Sequence, residues 1–250
     1  MKDKNWEPQA SLDQYFPEHK VSTDEIEILR FVSNFLKRKG QVFDRVLDFG
    51  AGPVIHRLFS IAPYVKKIYI SEYLSESLDE IRKWKNDHKE SRNWNFYIKT
   101  VLGVEKRRRD KNSIAQRATL LKRKIKRLIS GDIFKQRPLG KKITFPLVVS
   151  FYCLDAVTSS KKTWAILMKN LSSLVASNGW LIISASRNTS HSFLGNKKMS
   201  NVELNEKDLY LRLLELGYKP DTIEISVINA KIWSHVGISS VMVARAQKGQ

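Results

Sequence analysis

Cysteine is almost absent from this 250-residue chain: Cys153 stands alone, so no intrachain disulfide can form and a zinc site built on cysteines is excluded. A reducing, cytoplasmic setting is the expectation. No stretch reaches the ~18 consecutive apolar residues that a membrane-spanning helix needs. The first sixteen residues, MKDKNWEPQASLDQYF, lack the apolar core of a secretory signal. The strings HExxH, GxxxxGK[ST] and GxSxG are missing, which argues against a zinc hydrolase, a P-loop NTPase and an α/β-hydrolase. There is no internal repeat and no Pro/Gly/Ser-rich linker, so residues 1–250 are expected to form one domain.

Acidic residues are scarce beside basic ones. Lys plus Arg number 44 against 25 Asp plus Glu, a net charge of +19. The excess is concentrated: residues 104–128 hold eleven Lys and Arg against Glu105 and Asp110. Ile114, Ala118, Leu121, Ile125 and Leu128 recur there at spacings of four and three, so residues 104–130 read as a basic amphipathic helix inserted on the body. Such a block attracts polyanions, although a charge run is more often a solvated helix face.

Apolar residues make up 42% of the chain, enough for a packed core. Candidate strands are 45–50, 67–73, 95–101, 146–154, 180–186, 222–228 and 237–246. The first, fourth and fifth are near-continuous apolar runs, as in strands buried on both faces of a parallel sheet. Helix-period segments at 75–85, 162–175 and 206–216 alternate with them, and another at 23–39 ends at Gly40. The pattern predicts a doubly wound α/β sheet, an antiparallel pair at one edge and a helical cap over residues 1–40.

The strongest local signal is VLDFGAGP, residues 46–53, where an apolar strand runs into a Gly-x-Gly turn. Gly50 and Gly52 allow a tight turn and close approach of a ligand to the backbone. A dinucleotide fingerprint requires a third glycine where Ile55 stands, so NAD is disfavoured. Glu72 follows Gly52 by 20 residues, at the tip of the second strand, where a carboxylate can accept hydrogen bonds from two ribose hydroxyls. Asp132, followed by Ile133, can bond an adenine amino group while Ile133 packs on the ring. Singly, each is more often a turn residue or surface acid. Together they describe a cofactor with adenosine and no pyrophosphate; S-adenosylmethionine fits, with Asp48 near its methionine end.

These residues resemble the nicotinamide/phenylethanolamine/indolethylamine N-methyltransferase family of class I S-adenosylmethionine enzymes. The likeness is carried by SLDQYF (11–16), LDFGAGP (47–53), SEYLSESLDEIRKW (71–84), QRPLG (136–140) and SFYCLDA (150–156), and extends over roughly residues 11–246. It implies a Rossmann-like fold with a seven-stranded, mostly parallel sheet, helices on both faces and the helical cap. It further implies that Tyr15 bonds the cofactor carboxylate, that Gly50 and Gly52 line the methionine portion, and that Glu72 holds the ribose. Tyr73 would pack on the adenine, Ser77 would supply a polar adenosine contact, and Asp132 and Ile133 would bind the adenine edge. Phe151 and Asp155 fall where donor and acceptor meet.

The chain also departs from that pattern. Ser11 and Phe16 stand where the family commonly has tyrosines. Ala185 occupies the place of the acid that recognises the acceptor, and Arg187 lies nearby, which points to an aromatic or anionic acceptor. Methyl transfer to a neutral nitrogen needs no obligatory base. His191, after the fifth strand, is the one candidate histidine at the acceptor end, and His56 reads as a packing or surface residue. Trp6, Phe16, Tyr152, Phe193 and Trp233 are candidate pocket walls, and Trp164 and Trp180 are candidate core. The expected activity is methyl transfer to a nitrogen, or another soft nucleophile, of a small molecule. Two alternatives are methylation of RNA or another large anionic partner docked by residues 104–128, and a non-catalytic protein that binds S-adenosylmethionine.

Overall fold

In the computed structural model, residues 7–250 are described, and Trp6 falls outside them. Two helices come first, α1 (Pro8–Tyr15) and α2 (Thr23–Lys39). In α2, Ile28, Leu29, Val32, Phe35 and Leu36 recur at helical spacing and are all buried. The helix ends where Gly40 takes a left-handed conformation at φ 62°.

The first half of the sheet follows. Strand β1 (Phe43–Phe49) leads through the short α3 (Leu58–Ile61) to β2 (Val65–Glu72). Helices α4 (Ser75–Lys85), α5 (Asn95–Val104) and α6 (Lys111–Lys124) then precede β3 (Ile125–Ser130). The second half comprises β4 (Phe145–Phe151), α7 (Lys161–Ser172) and β5 (Val175–Ser186). A small hairpin of β6 (His191–Leu194) and β7 (Lys197–Ser200) stands apart from the main sheet. Helix α8 (Glu206–Glu215) and strands β8 (Glu224–Asn229) and β9 (Ser240–Gln247) complete the chain.

The sheet runs β3-β2-β1-β4-β5-β9-β8. Its first five strands pair in parallel, while β9 pairs antiparallel with both β5 and β8. This is the predicted seven-stranded, mostly parallel Rossmann-like sheet. The chain order reverses between β1 and β4, so the crevice above their carboxyl ends is where such a sheet takes a ligand. Two apolar clusters flank the sheet, one gathering residues of α2, α4 and α5 and the other those of α7 and α8.

Two elements differ from the sequence reading. Residues 95–101, expected as a strand, form α5, where Tyr97, Ile98, Val101 and Leu102 are the buried positions. Their spacing of one, three and one is a helix face, and tertiary burial overrides the β-branched and aromatic composition. Conversely, the basic helix stops at Lys124, and Ile125–Ser130 is the edge strand β3. Its exposed Lys126 and Arg127 fit an edge, where charge discourages pairing with another chain.

Phe35 of α2 lies against Trp180 of β5, with ring centroids 4.8 Å apart. Phe35→Ala is expected to lower unfolding free energy by about 3–5 kcal/mol in urea denaturation, through lost burial and the cavity left behind.

Candidate active site

A cavity of about 320 Å³ opens above the carboxyl ends of β1, β2 and β4, beneath α1. Its floor begins at the glycine turn. Gly50 has φ 68° and Gly52 φ 60°, conformations that disfavour side chains. A Cβ on Gly50 would stand 2.1 Å from Cys153 Sγ, so turn and β4 loop are fitted together. A Cβ on Gly52 would meet nothing within 4 Å among the described residues, which leaves bare backbone facing the cavity.

Glu72, at the end of β2, caps this turn. Its carboxylate accepts hydrogen bonds from the backbone N–H of Gly52 (2.9 Å), Tyr73 (2.7 Å) and Leu74 (3.1 Å). Tyr73, 44% exposed, Asp132 and Ile133 also line the cavity, and Asp132 Oδ1 accepts from Phe134 N–H at 3.1 Å. The geometry thus gathers Gly50, Gly52, Glu72, Tyr73, Asp132 and Ile133 on one wall, and it fits a nucleoside: a backbone step without side chains, a carboxylate beside it, and an acid followed by an apolar residue.

At the tip of β4, Phe151 and Asp155 line the cavity. Asp155 is buried; Oδ2 accepts from Ser186 N–H at 2.8 Å, while Oδ1 has no partner among the described residues. Burial pushes its carboxyl up to about 6 despite that bond. Tyr152 holds φ 54°, unusual for a side chain of its size, and its buried hydroxyl has no partner among the described residues. Phe16 and Trp233 complete the aromatic wall.

Several residues stand elsewhere than the sequence suggested. Ser77, in the first turn of α4, is fully buried and not on the cavity wall. His191 lies on the hairpin, its Nδ1 3.1 Å from Ser190 Oγ, and also does not line the cavity; neither does Phe193. Tyr15 does line it, but its hydroxyl donates to Phe193 O at 2.7 Å, fastening α1 to the hairpin. Arg187 donates through Nε and Nη2 to Glu206 (2.7 and 3.1 Å) and is not on the wall, which removes the reason for expecting an anionic acceptor.

Sequence reasoning missed Asp24, Glu25 and Arg57, all buried and all lining the cavity. Asp24 and Glu25 look like ordinary acids in a first helical turn. Arg57 belongs to no motif. Arg57 grips Glu25 with two hydrogen bonds, Nε–Oε1 2.8 Å and Nη2–Oε2 2.6 Å, and His56 Nε2 lies 2.9 Å from the same Oε1. Burial opposes the charge on Glu25, but the Arg57 guanidinium outweighs it and holds the carboxyl at about 2. Asp24 Oδ1 accepts from Trp233 Nε1 at 3.1 Å, and burial raises its carboxyl above the usual range.

Asp48 stays off the main wall. It borders a cavity of about 10 Å³, shared with Ala51, Arg57 and Phe151 just behind the glycine turn. Burial pushes its carboxyl up to about 7; Arg57 pulls it back and Glu72 adds to the rise. A carboxyl raised in the folded state holds its proton there while the unfolded chain, near 3.9, has released it. Stability is therefore lost as pH rises from about 4 to about 7. Asp48→Asn is expected to be more stable than the parent chain, by on the order of 2 kcal/mol more at pH 8 than at pH 5 in urea denaturation.

The family model described as the NNMT/PNMT/TEMT family matches residues 2–249. Nicotinamide N-methyltransferase of Homo sapiens is 26% identical over 230 residues, covering 88% of this chain and 85% of that protein. Indolethylamine N-methyltransferase of Mus musculus is 24% identical, covering 99% and 94%. In structure, the N-methyltransferase NodS of Bradyrhizobium japonicum WM9, in complex with S-adenosyl-L-homocysteine, superposes with a TM-score of 0.59 at 13% identity, over 97% of this chain and 99% of that one. Magnesium protoporphyrin IX methyltransferase of Synechocystis PCC 6803, with bound S-adenosylhomocysteine, gives 0.58 at 11% identity, over 95% and 92%. At these identities the structural likeness concerns the fold. With the match to the family model running nearly end to end, the chain belongs to the NNMT/PNMT/TEMT family of S-adenosylmethionine-dependent N-methyltransferases.

Proposed function

We propose that the chain transfers a methyl group from S-adenosylmethionine to a nitrogen of a small-molecule acceptor inside this cavity. The observation that carries the reading is that Gly52, Glu72 and Asp132 share one cavity with the aromatic side chains Phe16, Phe151, Tyr152 and Trp233. When bound, the cofactor supplies a methyl group already activated on a sulfonium, so the protein has to align and dehydrate rather than activate. Alignment of this kind is worth up to ~7–11 kcal/mol of a barrier.

The roles follow from position. Gly50 and Gly52 let the methionine portion approach the backbone. Glu72 accepts the ribose hydroxyls, Tyr73 packs on the adenine, and Asp132 with Ile133 reads its edge. Phe151 and Asp155 face the point of transfer, where the buried Asp155 shapes the floor of the cavity. Phe16, Tyr152 and Trp233 wall the acceptor compartment. Tyr15 acts chiefly by holding α1 closed against the hairpin, which keeps water out.

The basic segment does not favour a polyanion over this reading. Arg117 is buried and donates to Glu105 at 2.9 and 2.6 Å, Lys124 donates to Ala62 O at 2.6 Å, and Lys122 pairs with Asp87. Part of that charge therefore serves packing. No helix among the described residues is long and apolar enough to cross a membrane.

Calorimetric titration with S-adenosylhomocysteine tests the cofactor assignment. The parent chain is expected to bind in the micromolar range and Glu72→Ala at least tenfold more weakly. Absence of binding to the parent chain would overturn the reading.

A further inference from the structure

The main cavity is acidic although the protein carries +19. Asp24, Glu25, Glu72, Asp132 and Asp155 line it, and Arg57 is the sole Lys or Arg on its wall among the described residues. S-adenosylmethionine, the cofactor of the reading above, brings an α-carboxylate into this surface. A carboxylate taken from water needs a cation or several donors.

Tyr15, the residue first expected to meet that carboxylate, already donates its hydroxyl to Phe193 O. Ser11 and Phe16, on either side of it in the cap, offer one short hydroxyl and none. Arg57 is differently placed. It is 5% exposed, with Nε and Nη2 donating to Glu25, while Nη1 has no hydrogen-bond partner among the described residues. Its guanidinium carbon lies 4.7 Å from the Phe151 ring and 5.3 Å from the Tyr152 ring, at the tip of β4. It also borders the small cavity behind the glycine turn, with Asp48 and Ala51. The guanidinium thus stands between the tip of β4 and the glycine turn, where the methionine portion of the cofactor is expected.

We propose that Arg57 binds the α-carboxylate of the cofactor's methionine portion through the Nη1 edge of its guanidinium, with Glu25 fixing the orientation of that edge. The assignment rests on the cofactor reading above. A guanidinium presents five N–H donors in a rigid fork, so two carboxylates can be held on different edges at once. The surrounding rings shed water from the pair, which strengthens the attraction.

The test is a thermodynamic cycle between residue and carboxylate. S-adenosylmethionine and its decarboxylated form are titrated into the parent chain and into the double variant Glu25→Gln/Arg57→Gln, which removes the ion pair without stranding a buried charge. The parent chain is expected to bind S-adenosylmethionine at least tenfold tighter than the decarboxylated form, and the double variant to bind the two within threefold. 5′-Methylthioadenosine, which has the nucleoside but no amino-acid end, is expected to bind both proteins within twofold. Equal loss for all three ligands would mark a merely structural pair and overturn the assignment. So would a parent chain that discriminates less than threefold between the first two ligands, a result that needs no variant. If the parent chain binds none of the three, the cofactor reading falls as well; if it binds them without discrimination, only the role of Arg57 falls.

Discussion

A carboxylate taken from water into a protein interior is destabilising unless a cation goes with it, and Glu25 and Arg57 meet that condition together. Glu25 comes from the first turn of α2, outside the sheet, and Arg57 from the loop after the glycine turn. Their two hydrogen bonds tie the N-terminal cap to the sheet at the one point where the cavity needs a floor. Removing either partner alone would leave a buried charge, a cost of about 3–5 kcal/mol. His56 is drawn into the same arrangement. It is fully buried between Phe16, Trp94 and Tyr97, with ring centroids 5.0, 5.7 and 5.0 Å away, and burial outweighs Glu25 to lower its basicity. A neutral imidazole beside a bidentate ion pair lets α2 and α5 close over polar groups without a second buried cation.

What the sequence could show follows from how local each feature is. Strand β1 and its glycine turn were legible because a buried strand, a tight turn and an acid one strand later each have a local signature. Helix α2 was legible to its last residue, since Gly40 marks the end. Residues 95–101 were misread because aromatic and β-branched residues dominate a short segment whose burial is helical. Strand β3 was hidden by Lys126 and Arg127, which suit an exposed edge and also continue a basic helix. For the site, the acids of the adenosine wall stand in recognisable strings. Asp24, Glu25 and Arg57 do not: their meaning lies in contacts 32 positions apart in the chain, between Glu25 and Arg57, and 209 apart, between Asp24 and Trp233. His191, expected at the acceptor end from its place after the fifth strand, and Ser77, expected from the resemblance, do not line the cavity.

The charge distribution argues for the same division. An excess of +19 carried largely by exposed side chains leaves the interior free to be acidic, because surface cations are screened within about 10 Å at moderate salt. The five carboxylates on the cavity wall are therefore not cancelled by the protein's net charge. They are compensated locally or not at all: Glu25 by Arg57, Glu72 by three backbone amides, Asp155 by one amide with an oxygen left over. Asp24 is held by Trp233 Nε1, and Asp155 keeps one oxygen without a partner among the described residues. Arg187, just after β5, is already neutralised by Glu206. An electrostatic account of acceptor choice thus begins from a negative compartment.

The rigid parts of the site and its chemistry fit one another. Methyl transfer from a sulfonium asks for collinear approach more than for acid or base strength, so small displacements cost more than changes of pKa. The elements beneath the point of transfer are correspondingly constrained. Gly50 cannot carry a side chain because Cys153 fills that space, and Tyr152 holds a positive φ while Tyr152 N–H donates to Ser184 O at 3.1 Å. Asp155 reaches from the same loop to Ser186 N–H, and its carbonyl accepts from Val202 N–H at 3.0 Å. The loop after β4 is thereby fixed to β1 on one side and to β5 on the other. Strain at Tyr152 costs about 1–3 kcal/mol and persists only because these neighbours over-determine the backbone. A site that must align two ligands rather than activate either has reason to hold that much strain, since the same contacts that impose it also keep the floor from moving.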